Sequence, residues 1–220
     1  MTNASYGKLT AGLIAAWFIF SLSASALHLF RTDPSQPPLP LLLAVLTPIA
    51  IFALWYWNSK SFREFVLSLS PQTLTLVQAW RIAGFVFLAL YAYRVLPGVF
   101  ALPAGWGDIA IGATALTVAT KLANPDHRKS FILWQLLGIT DLVTAITLGA
   151  AARFLIPQDF LTPNGITTTP MTVLPLSLIP TFAVPLLFIL HIICITQARR
   201  WPKQSRLQAG EGVSLSAVLN

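Results

Sequence analysis

Charge is scarce in this chain of 220 residues: Asp, Glu, Lys and Arg together supply 10% of it, where ordinary soluble domains carry about a quarter. Cysteine is almost absent, and Cys194 alone excludes a disulfide-stapled module. Histidine is rare too. His28, His127 and His191 fall at the outer end of the first apolar run, in a loop and toward the inner end of the last run, so no two are placed to share a metal or a haem, and no metal site or cofactor is expected. The last run has no lysine for a retinal Schiff base, and no phosphate-cradling glycine loop, nucleophile elbow or zinc-ligand spacing occurs. What the chain has is apolar residue, 55% of it with a mean hydropathy of +0.72, which excludes intrinsic disorder and describes a membrane protein.

A helical span needs roughly 20 mostly apolar residues to cross about 30 Å of hydrocarbon. The runs predict an all-α, polytopic bundle of six spans: Leu9–Phe30, Leu39–Trp57, Leu74–Leu96, Gly105–Ala123, Phe131–Ala152 and Val173–Gln197. Residues 1–200 then form a single transmembrane domain and 201–220 a cytoplasmic tail. The first run has the outline of a signal peptide, with Lys8, an apolar stretch and Ala24-Ser25-Ala26. The weakly basic start and the apolar residues continuing through Leu27, Leu29 and Phe30 favour a retained span.

Counting Lys and Arg by loop orients the bundle. Lys8, Lys60, Arg63, Lys121, Arg128, Lys129, Arg199, Arg200, Lys203 and Arg206 fall on one side, and only Arg31, Arg94 and Arg153 on the other. Both termini are therefore expected in the cytoplasm of a plasma or bacterial inner membrane. The same rule accounts for the net charge of +7 without nucleic acid. The expected partners are the lipid bilayer, anionic headgroups at the basic segment Arg199–Arg206, and a second copy or a membrane subunit. Trp55, Trp57, Trp106, Trp134 and Trp201 fall near predicted span ends, as interfacial rings do, while Trp17 and Trp80 read as packing residues. Residues 60–71 alternate as a short interfacial helix does, and 153–172 reads as a long outer loop with Pro157, Pro163, Asn164-Gly165 and Pro170.

An Asp, Arg or Lys at mid-span costs about 2.5–3.5 kcal/mol on insertion scales and needs a partner or a wet cavity. Arg81 lies roughly 10 Å into the third span and Asp141 roughly 15 Å into the fifth from the same side, at 1.5 Å per residue. They are expected to form a bidentate ion pair. Gln78, Arg81, Gly84 and Tyr91 fall near one face of the third span, and Trp134, Gly138, Asp141 and Ala145 near one face of the fifth, with Gln135 adjacent. Pro180 and Pro185 are expected to break the sixth span and free the carbonyls of Leu176 and Thr181, as in transporters that use discontinuous helices. Arg94 and Asp108 form a second candidate pair near the outer surface, with Asp108 capping the first turn of the fourth span after Pro103.

The run Gly105-Trp106-Gly107-Asp108 resembles the Gly-x-Gly-Asp motif of intramembrane aspartic proteases such as presenilins and prepilin peptidases. In those enzymes two aspartates share a proton because like charges in contact do not both ionise. The resemblance covers four residues and implies acid–base chemistry by Asp108 with a second membrane aspartate, here Asp141. In that family the other aspartate precedes the motif, whereas Asp141 follows it, and no Pro-Ala-Leu motif occurs in a later span. The leading expectation is a small transporter or permease-like protein with a polar site bounded by Gln78, Arg81, Asp141 and the broken sixth span. The alternative is a non-catalytic membrane subunit, with the protease third.

Overall fold

The computed structural model describes residues 3–32, 36–154 and 165–202. All regular structure among them is helical. Six helices are long and apolar enough to cross a membrane: α1 (Asn3–Ala26), α2 (Leu39–Asn58), α4 (Pro71–Ala92), α5 (Gly98–Leu122), α6 (Arg128–Phe154) and α7 (Ile179–Arg200). The seventh, α3 (Lys60–Ser68), is short and amphipathic, as the alternation over 60–71 predicts. Ser59 caps it by accepting from the Phe62 amide at 3.2 Å, and Phe62, Phe65 and Val66 point inward. Gln197 of α7 closes its other end, donating through Nε2 to the carbonyls of Val66 and Leu69.

The helix ends correct several expected boundaries. α1 stops at Ala26, because His28 takes a left-handed conformation (φ 58°) and Leu27–Phe30 form a turn. α5 starts seven residues before Gly105: Pro97 sits at its N-cap and Pro103 lies inside the helix. Asp108 is therefore three turns deep rather than in a first turn. α7 begins at Ile179, and Leu174–Ser177, including Pro175, form turns ahead of it. Pro157, Pro163 and Asn164 of the long loop, Lys203, Arg206 and the rest of the tail lie outside the described residues.

Two departures from α-geometry matter for the site. Within α4, Gln78–Gly84 is wound as a 3₁₀ helix, and the start of α7, Ile179–Ala183, is a π turn containing Pro180. In an α-helix, residues three apart drift by about 60° per step at 3.6 residues per turn. In a 3₁₀ helix they stack in register. Gln78, Arg81 and Gly84 thereby line one edge of α4, and all three are buried.

Candidate functional site

Arg81, midway along α4, has 1% of its side chain exposed. Its guanidinium reaches three other helices. Nε donates to Asp108 Oδ1 of α5 at 2.7 Å, and Nη2 donates to Asp141 Oδ2 of α6. Nη1 meets His191 Nε2 of α7 at 3.2 Å and the Gly138 carbonyl at 3.5 Å. The expected contact of Arg81 with Asp141 is present, but it is not bidentate, because the fork is divided between two carboxylates.

An arginine only donates, so the direction of every bond that follows is set. His191 Nε2 accepts from Arg81, which puts the imidazole proton on Nδ1, and Nδ1–H donates to Gln135 Oε1. Gln135 Nε2 donates to Thr75 Oγ1 at 3.2 Å, and Thr75 donates to the Pro71 carbonyl at 2.8 Å. His191 is thereby held neutral. Trp134 packs its ring 5.8 Å from His191 and donates to Thr114 at 2.9 Å, so it is a buried site residue and not an interfacial one. Trp106 is exposed partway along α5, also away from a helix end.

Glycine makes the convergence of helices possible. A Cβ on Gly107 would run into the Asp141 carboxylate, one on Gly138 into the His191 ring, and one on Gly84 into the Asp108 side chain. Small residues at helix contacts let backbones approach closely in membranes. In this protein the closeness also sets the carboxylates against the guanidinium. The aspartates of the Gly-x-Gly-Asp resemblance, Asp108 and Asp141, do meet at one place, with Arg81 bonded to both.

The other candidates separate from this cluster. Gln78 is buried nearby and donates to the Leu187 carbonyl at 3.2 Å. Tyr91 is 44% exposed and packs against Gly98, off the polar edge, since α4 returns to α-geometry after Gly84. Arg94 is exposed in the turn after α4 with φ 57°, and Asp108 pairs with Arg81 in its place. Pro185 does free the Thr181 carbonyl, but Trp17 Nε1 (3.1 Å) and Ser21 Oγ (3.3 Å) of α1 take it up. The Leu176 carbonyl accepts from the Ile179 amide at 3.0 Å. Neither is left for a ligand.

A partly open cavity of about 270 Å³ extends between the half of the bundle where α2 and α7 begin and this cluster. Its walls are apolar, with Leu41 and Val45 of α2, Phe87 of α4, Phe100 of α5, Ala145 and Ile146 of α6, and Pro180 and Val184 of α7. Thr168, Met171 and Thr172 also line it, and Arg81 and Asp108 are its charged lining residues. Among the described residues no group of three or more His, Cys, Asp or Glu side chains is arranged to hold a metal ion.

A family model described as a domain of unknown function (DUF8737) matches residues 37–199, about three quarters of the chain. The chain belongs to this family. The matched stretch runs from α2 through nearly all of α7 and includes Arg81, Asp108, Asp141 and His191. No curated protein and no solved structure matches the chain.

His191 is the site residue that sequence reasoning missed. With the sixth span drawn from Val173 it falls toward the inner end. With α7 starting at Ile179 it falls at the middle, level with Arg81 in α4 and Asp108 in α5. The signal was present in Pro175 and Pro180, which favour starting the helix later.

Proposed function

We propose that the chain is a small permease-like membrane protein that admits a solute to the mid-span cluster of Arg81, Asp108, Asp141 and His191. The observation that carries this reading is the cavity, which reaches a buried charged cluster halfway along the spans. Charges at that depth are expensive and mark substrate or ion paths in membrane proteins. Apolar pockets with a few convergent polar groups are the usual form of a small-molecule site. Both termini are assigned to the cytoplasm of a cell membrane, which puts the Thr168–Thr172 end of the cavity toward the outer face. Support for this orientation comes from the basic residues around the α3 and α5–α6 end, where Arg128 also bonds the Arg199 carbonyl at 3.0 Å. Arg199 and Arg200 are exposed there, in reach of anionic headgroups.

The test is access. In a Cys194→Ala background, a cysteine at Ala145, one turn beyond Asp141 on the cavity wall, should react with a water-soluble maleimide added outside intact cells. A cysteine at lipid-facing Leu137 should not. An unreactive Ala145→Cys would count against the reading. Gly84 and Gly138 are unsuitable probe positions, because any side chain there displaces Asp108 or His191.

A second reading is a non-catalytic membrane subunit whose charges fix helix register. It is favoured by Arg81, which is almost fully buried and bonded to three helices at once. That reading predicts a partner that co-purifies and a dry cavity. The enzyme reading draws on the approach of Asp108 and Asp141, although the guanidinium between them supplies the positive charge that a shared proton supplies in aspartic proteases.

A further inference from the structure

The cavity has a polarity that the apolar walls conceal. Arg81 and Asp108 both line the cavity, but Arg81 has 1% of its side chain exposed and Asp108 has 19%. Asp108 Oδ1 is occupied by Arg81 Nε. The rest of its carboxylate is what an incoming molecule meets, and when ionised it can only accept hydrogen bonds. His191 spends both ring nitrogens on Arg81 and Gln135 and offers nothing further. With both carboxyl groups ionised, two carboxylates stand against one guanidinium and one negative charge of the cluster is unmatched. Among the cavity's lining residues, Asp108 is the acidic one and Arg81 the basic one, while α2, α6, α7 and the Thr168–Thr172 segment contribute apolar or hydroxyl groups.

Resting on the permease reading, we propose that the solute is a small organic monocation, an ammonium or amidinium head on a short apolar body, with its head on Asp108 and its body against Phe87, Phe100 and Ile146. A desolvated carboxylate at the base of an apolar cavity selects for charge at its end and for hydrophobicity along its walls. An anion would meet Asp108 first and be repelled. A neutral alcohol would leave the unmatched charge in place.

The probe series is hexylammonium, hexanol and hexanoate, which share one apolar body and differ in the charge of the head. Each is added to the Ala145→Cys, Cys194→Ala chain in nanodiscs, and the rate of labelling by a neutral water-soluble maleimide is followed. Hexylammonium should slow labelling by about tenfold at a concentration ten times its Kd, as mass action requires. Hexanol and hexanoate should protect far less, and Asp108→Asn should remove the advantage of the ammonium. Equal protection by all three, stronger protection by hexanoate, or an ammonium preference that survives Asp108→Asn would overturn the assignment while leaving the permease reading in place. If Ala145→Cys is never labelled, both fall. The charge series needs no change at Asp108, so it decides the question even if Asp108→Asn does not fold.

Discussion

Helices α4 to α7 meet through glycine and bury an arginine, a histidine and amide side chains among themselves, whereas α1 to α3 pack on one another through aromatic rings and reach α7 through Trp17 and Phe18 against Phe182 and a few hydrogen bonds. In the second region Trp55 stacks on Phe62 at 3.9 Å, Tyr6 on Phe65 at 5.8 Å, and Thr181 offers α1 one carbonyl. The apolar windows reflect this: half of the α7 window is buried but only 6% of the α2 window. Aromatic contacts tolerate sliding and gaps. A guanidinium divided among three helices does not, because each misplaced bond leaves a polar group unpaired in a low-dielectric interior. The first region is thus held to a specific geometry, and the second is fitted around it.

The largest effect that separates the regions should come from Arg81→Gln. It leaves two carboxylates without their counter-charge, and losing one partner of a buried pair costs about 3–5 kcal/mol. Unfolding by a graded detergent titration measures it. Next are the glycines. Gly138→Ala drives a methyl group into the His191 ring and should cost about 1–3 kcal/mol by overpacking. Gly12→Ala in α1 has nothing within 4 Å of the new Cβ and should be neutral or stabilise by up to about 1 kcal/mol through helix propensity. Equal losses from the two would erase the contrast between the regions. The smallest loss is expected from Trp17→Phe, about 1 kcal/mol for one hydrogen bond, since Ser21 still donates to Thr181. Adding Ser21→Ala should enlarge that loss more than additively, because the carbonyl freed by Pro185 then has no partner from α1.

These contrasts also explain what was legible in the sequence. The spans were, because bilayer thickness imposes an apolar run of fixed length whatever the helices pack against. Arg81 and Asp141 were, because a charge within such a run stands out. Asp108 was visible but misplaced. Leu102-Pro103-Ala104-Gly105-Trp106-Gly107 has the composition of a soluble loop, yet in a membrane neighbouring helices support an internal proline and glycine serves close packing. The register that brings Gln78, Arg81 and Gly84 onto one edge depends on a 3₁₀ winding that α-periodicity does not describe, and for the same reason Tyr91 was carried onto the wrong face. The freed Thr181 carbonyl was foreseen, but its use was not, since Trp17 lies more than 160 residues away in the chain.

The most direct measurement compares Asp108→Asn with Arg81→Gln by thermal unfolding in nanodiscs with no solute added. Asparagine keeps an oxygen for Arg81 Nε and removes the unmatched negative charge, leaving Arg81 paired with Asp141. If that charge is held for a solute at the expense of stability, Asp108→Asn should be at least as stable as the unaltered protein, while Arg81→Gln falls well below it. If Asp108→Asn loses as much stability as Arg81→Gln, both carboxylates serve only to hold the helices together, and the cluster is not a solute site.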